Sequence, residues 1–135
     1  MLVVMLFLTC WSCLAAGVAV IAHPDVPVQT LSHNALRSIF GMRLRAWPDR
    51  QPTRVFVLGD QHPLHETFAK QYLSVFPQQL RRAWDRLVYS GTGQAPTEVD
   101  SEAAMRRAVA STPGAIGYLS SDQLSPGVSV IEVQP

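Results

Sequence analysis

The first 22 residues, MLVVMLFLTCWSCLAAGVAVIA, contain no charged side chain, and all 11 basic and 10 acidic residues of the 135-residue chain follow them. An apolar run in which small residues such as Ala15, Ala16 and Gly17 follow the most hydrophobic part is typical of an export signal with its cleavage site. The sequence therefore predicts a signal peptide over residues 1–17 and a mature protein in the periplasm of a bacterium. The run is also long enough to cross a bilayer, so an uncleaved membrane anchor is the alternative.

Residues 18–135 are expected to form one domain. Of the whole chain, 47% of the residues are hydrophobic, which is enough for a single core, but the length does not suffice for two lobes of normal size. The formal net charge is +1, so the strong positive field typical of proteins that bind nucleic acid or anionic membranes is absent. We therefore predict no nucleic-acid partner, and no membrane contact once the signal peptide is removed.

Both cysteines, Cys10 and Cys13, lie in the predicted signal peptide as Cys-Trp-Ser-Cys. A CxxC pair can serve redox chemistry or bind a metal, but a zinc site needs a second pair of ligands and a redox motif follows a strand. This pair lies inside an apolar run and has neither. The sequence predicts no cofactor and, after cleavage near Ala16, a mature chain without thiols.

Beyond the leader, strand-like and helix-like segments alternate, which predicts an α/β layer structure. Ser32 is placed to cap a short helix, and prolines at 63 and 77 mark the starts of two more. The predicted elements, in order, are a strand GVAVIA, a helix within TLSHNALRSIFG, a strand Val55–Leu58, helices PLHETFAKQYLSVF, PQQLRRAWDRLVYSG and SEAAMRRAVAS, and strands AIGYL and VSVIEV.

A polar stretch, GDQHPLHE, follows the predicted strand Val55–Leu58. In α/β folds, ligands bind at the carboxyl ends of strands, where loops enter helices. Either histidine of this stretch can supply a titratable donor, so an anion held there should bind more tightly below about pH 6.5. The candidate ligand-binding residues of this stretch are Asp60, Gln61, His62 and His65.

The same stretch raises the alternative of a metal site. His62, His65 and Glu66 offer imidazole and carboxylate ligands, which suit zinc or nickel. However, a proline separates His62 from the helix, and the HExxH order of metallohydrolases is absent. An elbow motif such as GxSxG is also absent. We predict neither a metal site nor a catalytic residue, and we do not expect an enzyme.

A Ser-Gly-Thr-Gly turn ends the apolar helix pattern that begins at Pro77. Such a turn can direct several backbone N–H groups and a hydroxyl toward one anion, although it can equally be an ordinary loop. Arg81, Arg82 and Arg86 on the preceding helix are expected to be solvated charges rather than a ligand clamp. The candidate ligand-binding residues of the turn are Ser90, Gly91, Thr92 and Gly93.

The order of four segments along the chain indicates a family. These segments are LSHNALRSIFGMRLRAWPD, VFVLGDQHPLHETFAKQYL, RAWDRLVYSGTGQAP and VASTPGAIGYLS. Together they resemble small exported relatives of the substrate-binding component of phosphate ABC transporters. The resemblance implies a single periplasmic-binding-protein-like lobe, with a mixed sheet flanked by helices. It also implies binding of a small anion, phosphate or a similar oxyanion, for transport or sensing.

Two differences from that family lead to an alternative function. Full-length phosphate-binding proteins have two lobes and roughly twice this length, and they carry an arginine and a Ser-Gly-Thr where this chain has GDQHPLHETF. The alternative is therefore an interaction module of the bacterial envelope that has lost ligand binding and contacts a partner protein. An exposed apolar patch would favour that module, or a homodimer.

Gly114 and Gly117, within TPGAIGYL, are expected to be sensitive to substitution, and Gly117→Val is expected to destabilise the fold measurably. A Pro-Gly helix stop followed by a glycine in a buried strand predicts a tight turn and a close approach of neighbouring atoms.

Overall fold

The computed structural model describes residues 17–134, so both cysteines and all of the predicted signal peptide except Gly17 lie outside the described residues. These residues form one six-stranded mixed sheet flanked by four α-helices, which confirms the predicted fold class. The strands are β1 (Val18–Ala22), β2 (Thr30–Ser32), β3 (Arg54–Leu58), β4 (Thr97–Val99), β5 (Ala115–Ser120) and β6 (Ser129–Gln134). The helices are α1 (His33–Phe40), α2 (Pro63–Phe68), α3 (Pro77–Tyr89) and α4 (Glu102–Ser111).

The strand order is β2-β6-β1-β5-β3-β4. Strand β1 pairs antiparallel with β5 and β6, whereas β3 pairs parallel with β4 and β5. Since β3, β4 and β5 run in one direction, their carboxyl ends lie at the same edge of the sheet. The loop that leaves β3 therefore lies where ligands bind in α/β folds.

Local capping explains where the helices begin. The Ser32 Oγ accepts a hydrogen bond of 3.1 Å from the N–H of Ala35, and the Ser101 Oγ accepts one of 3.0 Å from Ala104. Pro77 opens α3 at a position where its missing N–H costs no helical hydrogen bond. Helix α2 continues as a π-helical turn, Ala69–Leu73.

Aromatic side chains fill the core between the helices and the sheet. The Phe68 and Tyr118 rings stack with centroids 4.0 Å apart, and Phe40 meets Phe68 edge to face at 4.8 Å. Trp84 is fully buried, and its indole N–H donates to the Phe40 carbonyl at 2.8 Å. These contacts join α1, α2 and α3 to β5, which is consistent with the apolar spacing in the sequence.

Two strands, β2 and β4, were not predicted from the sequence. Each has three residues and lies at an edge of the sheet, where pairing with β6 or β3 rather than local preference forms the strand. None of the helices formed by residues 17–134 is both long and apolar enough to span a membrane.

Candidate functional site

The loop after β3 carries Asp60, whose carboxylate is bound by Arg81 from α3. The Arg81 Nε donates to Oδ2 at 2.9 Å, and Nη2 donates to Oδ1 at 3.0 Å. The two side chains are only about one third exposed. A two-point pair of this kind holds both groups in a fixed orientation.

Two further side chains lie near the Arg81 guanidinium. Its Nη2 lies 3.8 Å from the Glu98 carboxylate of β4, and its carbon lies 5.1 Å from the Trp84 ring centroid. The hydrogen bond to Asp60 raises the Arg81 pKa above its usual value, so the group stays cationic at every working pH. Within residues 17–134, its Nη1 donates no hydrogen bond. The Nη1 edge is thus held in a fixed position and can still donate hydrogen bonds.

His65 lies beneath this ion pair and is completely buried. The Tyr118 hydroxyl accepts a hydrogen bond from the Leu58 N–H at 2.8 Å, and lies 2.5 Å from the His65 Nδ1. Because that hydroxyl has one proton to donate, Nδ1 acts as the acceptor and the ring proton is on Nε2. The Nε2 lies 3.9 Å from the Asp60 Oδ1 and has no hydrogen-bond partner among the described residues.

Burial lowers the pKa of His65, and the nearby Asp60 carboxylate opposes that shift only in part. Burial also raises the pKa of Tyr118. Both groups therefore stay neutral near pH 7. This corrects the expectation that His65 becomes a cation below about pH 6.5, since an exposed imidazole was assumed there and the structure buries the ring.

The two remaining candidates in this loop have different surroundings. The His62 Nδ1 accepts a hydrogen bond of 3.1 Å from the Leu64 N–H, so its ring caps α2. Gln61 is exposed. The structure thus brings Asp60 and His65 together, while His62 has a structural role at the helix start.

The Ser-Gly-Thr-Gly turn is the carboxyl end of α3. Its four backbone N–H groups all donate back to carbonyls of the last helical turn. The Ser90 and Thr92 hydroxyls lie 2.6 Å apart and bond to each other. These groups close a helix end, whose partial negative charge does not favour an anion.

Gly91, Thr92 and Gly93 of this turn border a recess with a volume of about 370 Å³, together with Arg45 and Thr53. The Arg45 guanidinium donates to the Thr92 carbonyl. Along α3, Ser90 lies nine residues from Arg81, an axial rise of about 14 Å. The two candidate stretches therefore line different parts of the surface and do not form one crevice.

Three residues of the Asp60 cluster were not predicted from the sequence. Arg81 was expected to be solvated, yet it pairs with Asp60, and Glu98 lies on a strand that was not predicted. Tyr118 stood within the TPGAIGYL motif without an assigned role. A sequence signal for these contacts is lacking because the partners are between 17 and 60 residues apart.

Residues 17–134 contain no group of three or more His, Cys, Asp or Glu side chains arranged to hold a metal ion. Asp60 and the Nη1 edge of Arg81 keep hydrogen-bonding capacity, and the neutral His65 lies buried beneath them.

A family described as the PBP superfamily domain matches residues 8–129. The chain belongs to this periplasmic-binding-protein-like family. The match starts ten residues before the predicted start of the domain at Val18. A comparison with curated proteins finds no match.

Solved structures agree with this assignment of the fold. An ABC-type phosphate transport receptor from Vibrio cholerae superimposes with a TM-score of 0.69 at 17% identity. A putative phosphate ABC transporter substrate-binding protein with bound phosphate, from Clostridium perfringens, gives 0.67 at 21% identity. PstS from Borrelia burgdorferi gives 0.66 at 13% identity.

Each of these superpositions covers 87% of this chain but only 46%, 44% and 47%, respectively, of the other protein. The chain thus spans less than half the length of the solved relatives. This agrees with the expectation of a single-lobe relative of phosphate ABC transporter substrate-binding proteins.

The buried His65 leads to a prediction about stability and pH. In the unfolded chain the ring protonates near its ordinary pKa of about 6.5, whereas the folded pKa is lower. The unfolded state therefore binds more protons as the pH falls below that value, and the folded state loses stability. The urea midpoint of the wild type should fall between pH 7.5 and pH 5.5.

In His65→Asn, the decrease in the urea midpoint between pH 7.5 and pH 5.5 should be smaller than in the wild type, although the variant is less stable at pH 7.5. The Asn side-chain oxygen can still accept a hydrogen bond from Tyr118. The pKa values of Asp25 and Glu66 are also lowered, so these carboxylates affect stability only at more acidic pH. The measurement therefore stops at pH 5.5. An equal decrease in both proteins would contradict the assignment.

Proposed function

We propose that this domain binds a small oxyanion of the phosphate type at the carboxyl ends of β3 and β4. The observation that carries the proposal is the Arg81 guanidinium, held by Asp60 through Nε and Nη2 so that its Nη1 edge is available. The Nε2–H of the buried His65 lies 3.9 Å from the Asp60 Oδ1 and places partial positive charge beneath that carboxylate. Membership of a family with phosphate-transport relatives supports the same ligand class.

The charges around Arg81 favour a protonated oxyanion. Asp60 and Glu98 contribute two negative charges against one positive charge, so a fully deprotonated anion is repelled. Carboxylates only accept hydrogen bonds, and each Asp60 oxygen has a lone pair left after binding Arg81. A phosphate that still carries a proton can donate to Asp60, whereas sulfate cannot. We expect phosphate to bind more tightly than sulfate.

A dehydrated phosphate needs several donors, and this cluster supplies few. Affinity is therefore expected to be modest in the isolated chain, with further donors coming from a partner protein of the envelope, such as a transporter or sensor. The same proposal includes export by the leader and a role in periplasmic transport or sensing.

The test is calorimetric titration with phosphate and with sulfate. Arg81→Gln should weaken phosphate binding by about tenfold or more, since a charge-assisted hydrogen bond contributes about 1.5–3 kcal/mol. Arg82→Gln removes the same charge from an exposed neighbour on α3 and should leave the affinity unchanged. Circular dichroism establishes that both variants are folded.

Thr92→Val tests the Ser-Gly-Thr-Gly turn in the same assay. Loss of binding in Thr92→Val but not in Arg81→Gln would place the anion at the end of α3 and overturn the proposed site. Equal affinity for phosphate and sulfate would overturn the role of Asp60. If neither anion binds, the envelope interaction module replaces the solute-binding proposal.

A further inference from the structure

A second recess lies between the end of α1, the π-helical turn and α3, away from the Asp60 cluster. Its volume is about 640 Å³, within the range of sites that hold small organic molecules. Its floor is aliphatic, and its rim is basic. The residues that matter are Leu73, Leu80 and Leu87 below, and Arg37, Arg43 and Arg86 above.

The floor is part of the core surface. Leu73 and Leu80 are almost completely buried, and Leu87 is partly buried. Along α3, positions 79, 83, 86, 87 and 90 recur at helical spacing, so they form one face beside the core-facing side of Trp84. A chain of methylene groups laid in this recess would lose water contact on one side without displacing any protein group.

The three rim arginines are exposed, and none forms an ion pair or side-chain hydrogen bond within residues 17–134. The residues that line the recess include no acidic side chain. Arg37 and Arg86 lie in the last turns of α1 and α3, where they also interact favourably with the helix dipoles. Arg43 lies beyond the end of its helix and has no such role.

We propose that this recess binds an amphiphilic small molecule with an apolar tail and a carboxylate head, of the fatty-acid class. The aliphatic floor takes the tail, and the arginines form the planar two-point contacts that guanidinium groups make with carboxylates. The combination of three uncompensated positive charges and an aliphatic floor is complementary to that ligand class.

Two other occupants fit less well. The N-terminal segment, residues 1–16, is apolar but carries no charge, so it leaves the arginines without partners. A second copy docking through the same face would bring six arginines together, which is unfavourable. Charge complementarity therefore selects an anionic amphiphile.

The probe is dodecanoate, titrated below its micelle concentration into the full chain and followed by calorimetry. Dodecanol, which has the same tail and a neutral head, and acetate, which has the head alone, are the matched ligands. Dodecanoate should bind at least about tenfold more tightly than dodecanol, and acetate should give no saturable binding. Equal affinity for dodecanoate and dodecanol would overturn the role of the arginines.

A triple variant, Arg37→Gln, Arg43→Gln and Arg86→Gln, should lose about tenfold or more in affinity for dodecanoate and retain its affinity for dodecanol. The control triple variant, Arg54→Gln, Arg82→Gln and Arg107→Gln, makes the same change of charge outside the recess and should bind as the wild type does. If the triple variant of Arg37, Arg43 and Arg86 is less stable but binds dodecanoate normally, these arginines serve only the helix ends. That result would overturn the proposal.

Two further measurements separate this recess from the anion site and from a nonspecific attraction to charge. Arg81→Gln should leave dodecanoate binding unchanged, so loss of phosphate binding and loss of dodecanoate binding are distinguishable. Binding to vesicles of anionic phospholipid without binding of monomeric dodecanoate would also overturn the proposal, because it would show a general attraction to charged surfaces.

Discussion

Replacing Gly114 with alanine should destabilise the folded domain by about 3 kcal/mol or more, from the combined cost of left-handed backbone and overpacking. Gly114 has a φ of +77°, and a Cβ built there would lie 2.3 Å from the Pro52 carbonyl oxygen. That oxygen belongs to the backbone, so the clash cannot be relieved by a change of side-chain conformation. The turn before β5 would have to move.

That movement would disturb several hydrogen bonds at once. The Gly114 carbonyl accepts from the Trp47 indole at 2.9 Å and from the Arg54 N–H at 3.0 Å. Its own N–H donates to the Asp25 carboxylate at 3.3 Å. The turn thus connects the start of β5 to the start of β3 and to the buried Trp47.

Gly91→Ala is the matched control, because Gly91 has a similar φ of +70° and a Cβ at that position would have nothing within 4 Å. It should show only the backbone cost of about 1–2 kcal/mol. Urea denaturation of the two variants and the wild type gives the comparison. Equal losses in both variants would show that the contact with Pro52 has no energetic role.

Gly117→Val should destabilise the domain by about 2–4 kcal/mol, because overpacking a filled core is costly. Gly117 lies in β5 opposite Ile21, at a point where α4 packs closely on the sheet. A Cβ there would lie 2.5 Å from the Met105 Sδ and 3.2 Å from a Val109 methyl. Met105 is flexible but fully buried, and Val109 is β-branched and stiff.

A graded series of substitutions tests the role of this close packing. Gly117→Ala should cost less than Gly117→Val, and combining Gly117→Ala with Met105→Ala should cost less than the sum of the two single changes, since the smaller side chain leaves room. Gly127→Ala is the control, because its Cβ would meet Ala110 at an ordinary 3.5 Å. An unchanged urea midpoint in Gly117→Val would show that the close approach of α4 is not required.

Gly117 also bears on the proposed anion site. The next residue, Tyr118, orients both the Leu58 N–H and the His65 ring. A displacement of β5 would shift that hydroxyl, and with it the donor that lies under Asp60. Gly117 variants that fold should therefore bind phosphate more weakly, even though residue 117 lies outside the site.

Much of the fold could be predicted from the sequence. Ser32 caps α1 as expected, Pro77 begins α3, and the apolar spacing placed Phe68 and Trp84 in the core. These signals act over a single turn or strand, so nearby residues suffice to produce them. The exceptions among the strands, β2 and β4, depend on pairing with strands far away in the chain.

The candidate site was only partly predictable. The position of Asp60 after a strand was enough to place it at the carboxyl edge of the sheet, and the structure agrees. The burial of His65, which favours its neutral state, places the ring beside Trp84 and Tyr118, which lie 19 and 53 residues away in the chain. The sequence of the Ser-Gly-Thr-Gly turn is compatible with an anion-binding loop, but its four N–H groups donate hydrogen bonds to carbonyls of α3.

The sequence by itself therefore determined the class of fold, the helix starts and the polar loop after β3, because each depends on local preference or on the periodicity of apolar residues. Only the tertiary structure decided which charges meet. Arg81 pairs with Asp60, whereas Arg37, Arg43 and Arg86 surround an aliphatic recess, and helix periodicity alone does not distinguish these arginines. The reason is physical, since the energy of a charge depends on the distance and burial of its neighbours, and folding sets both.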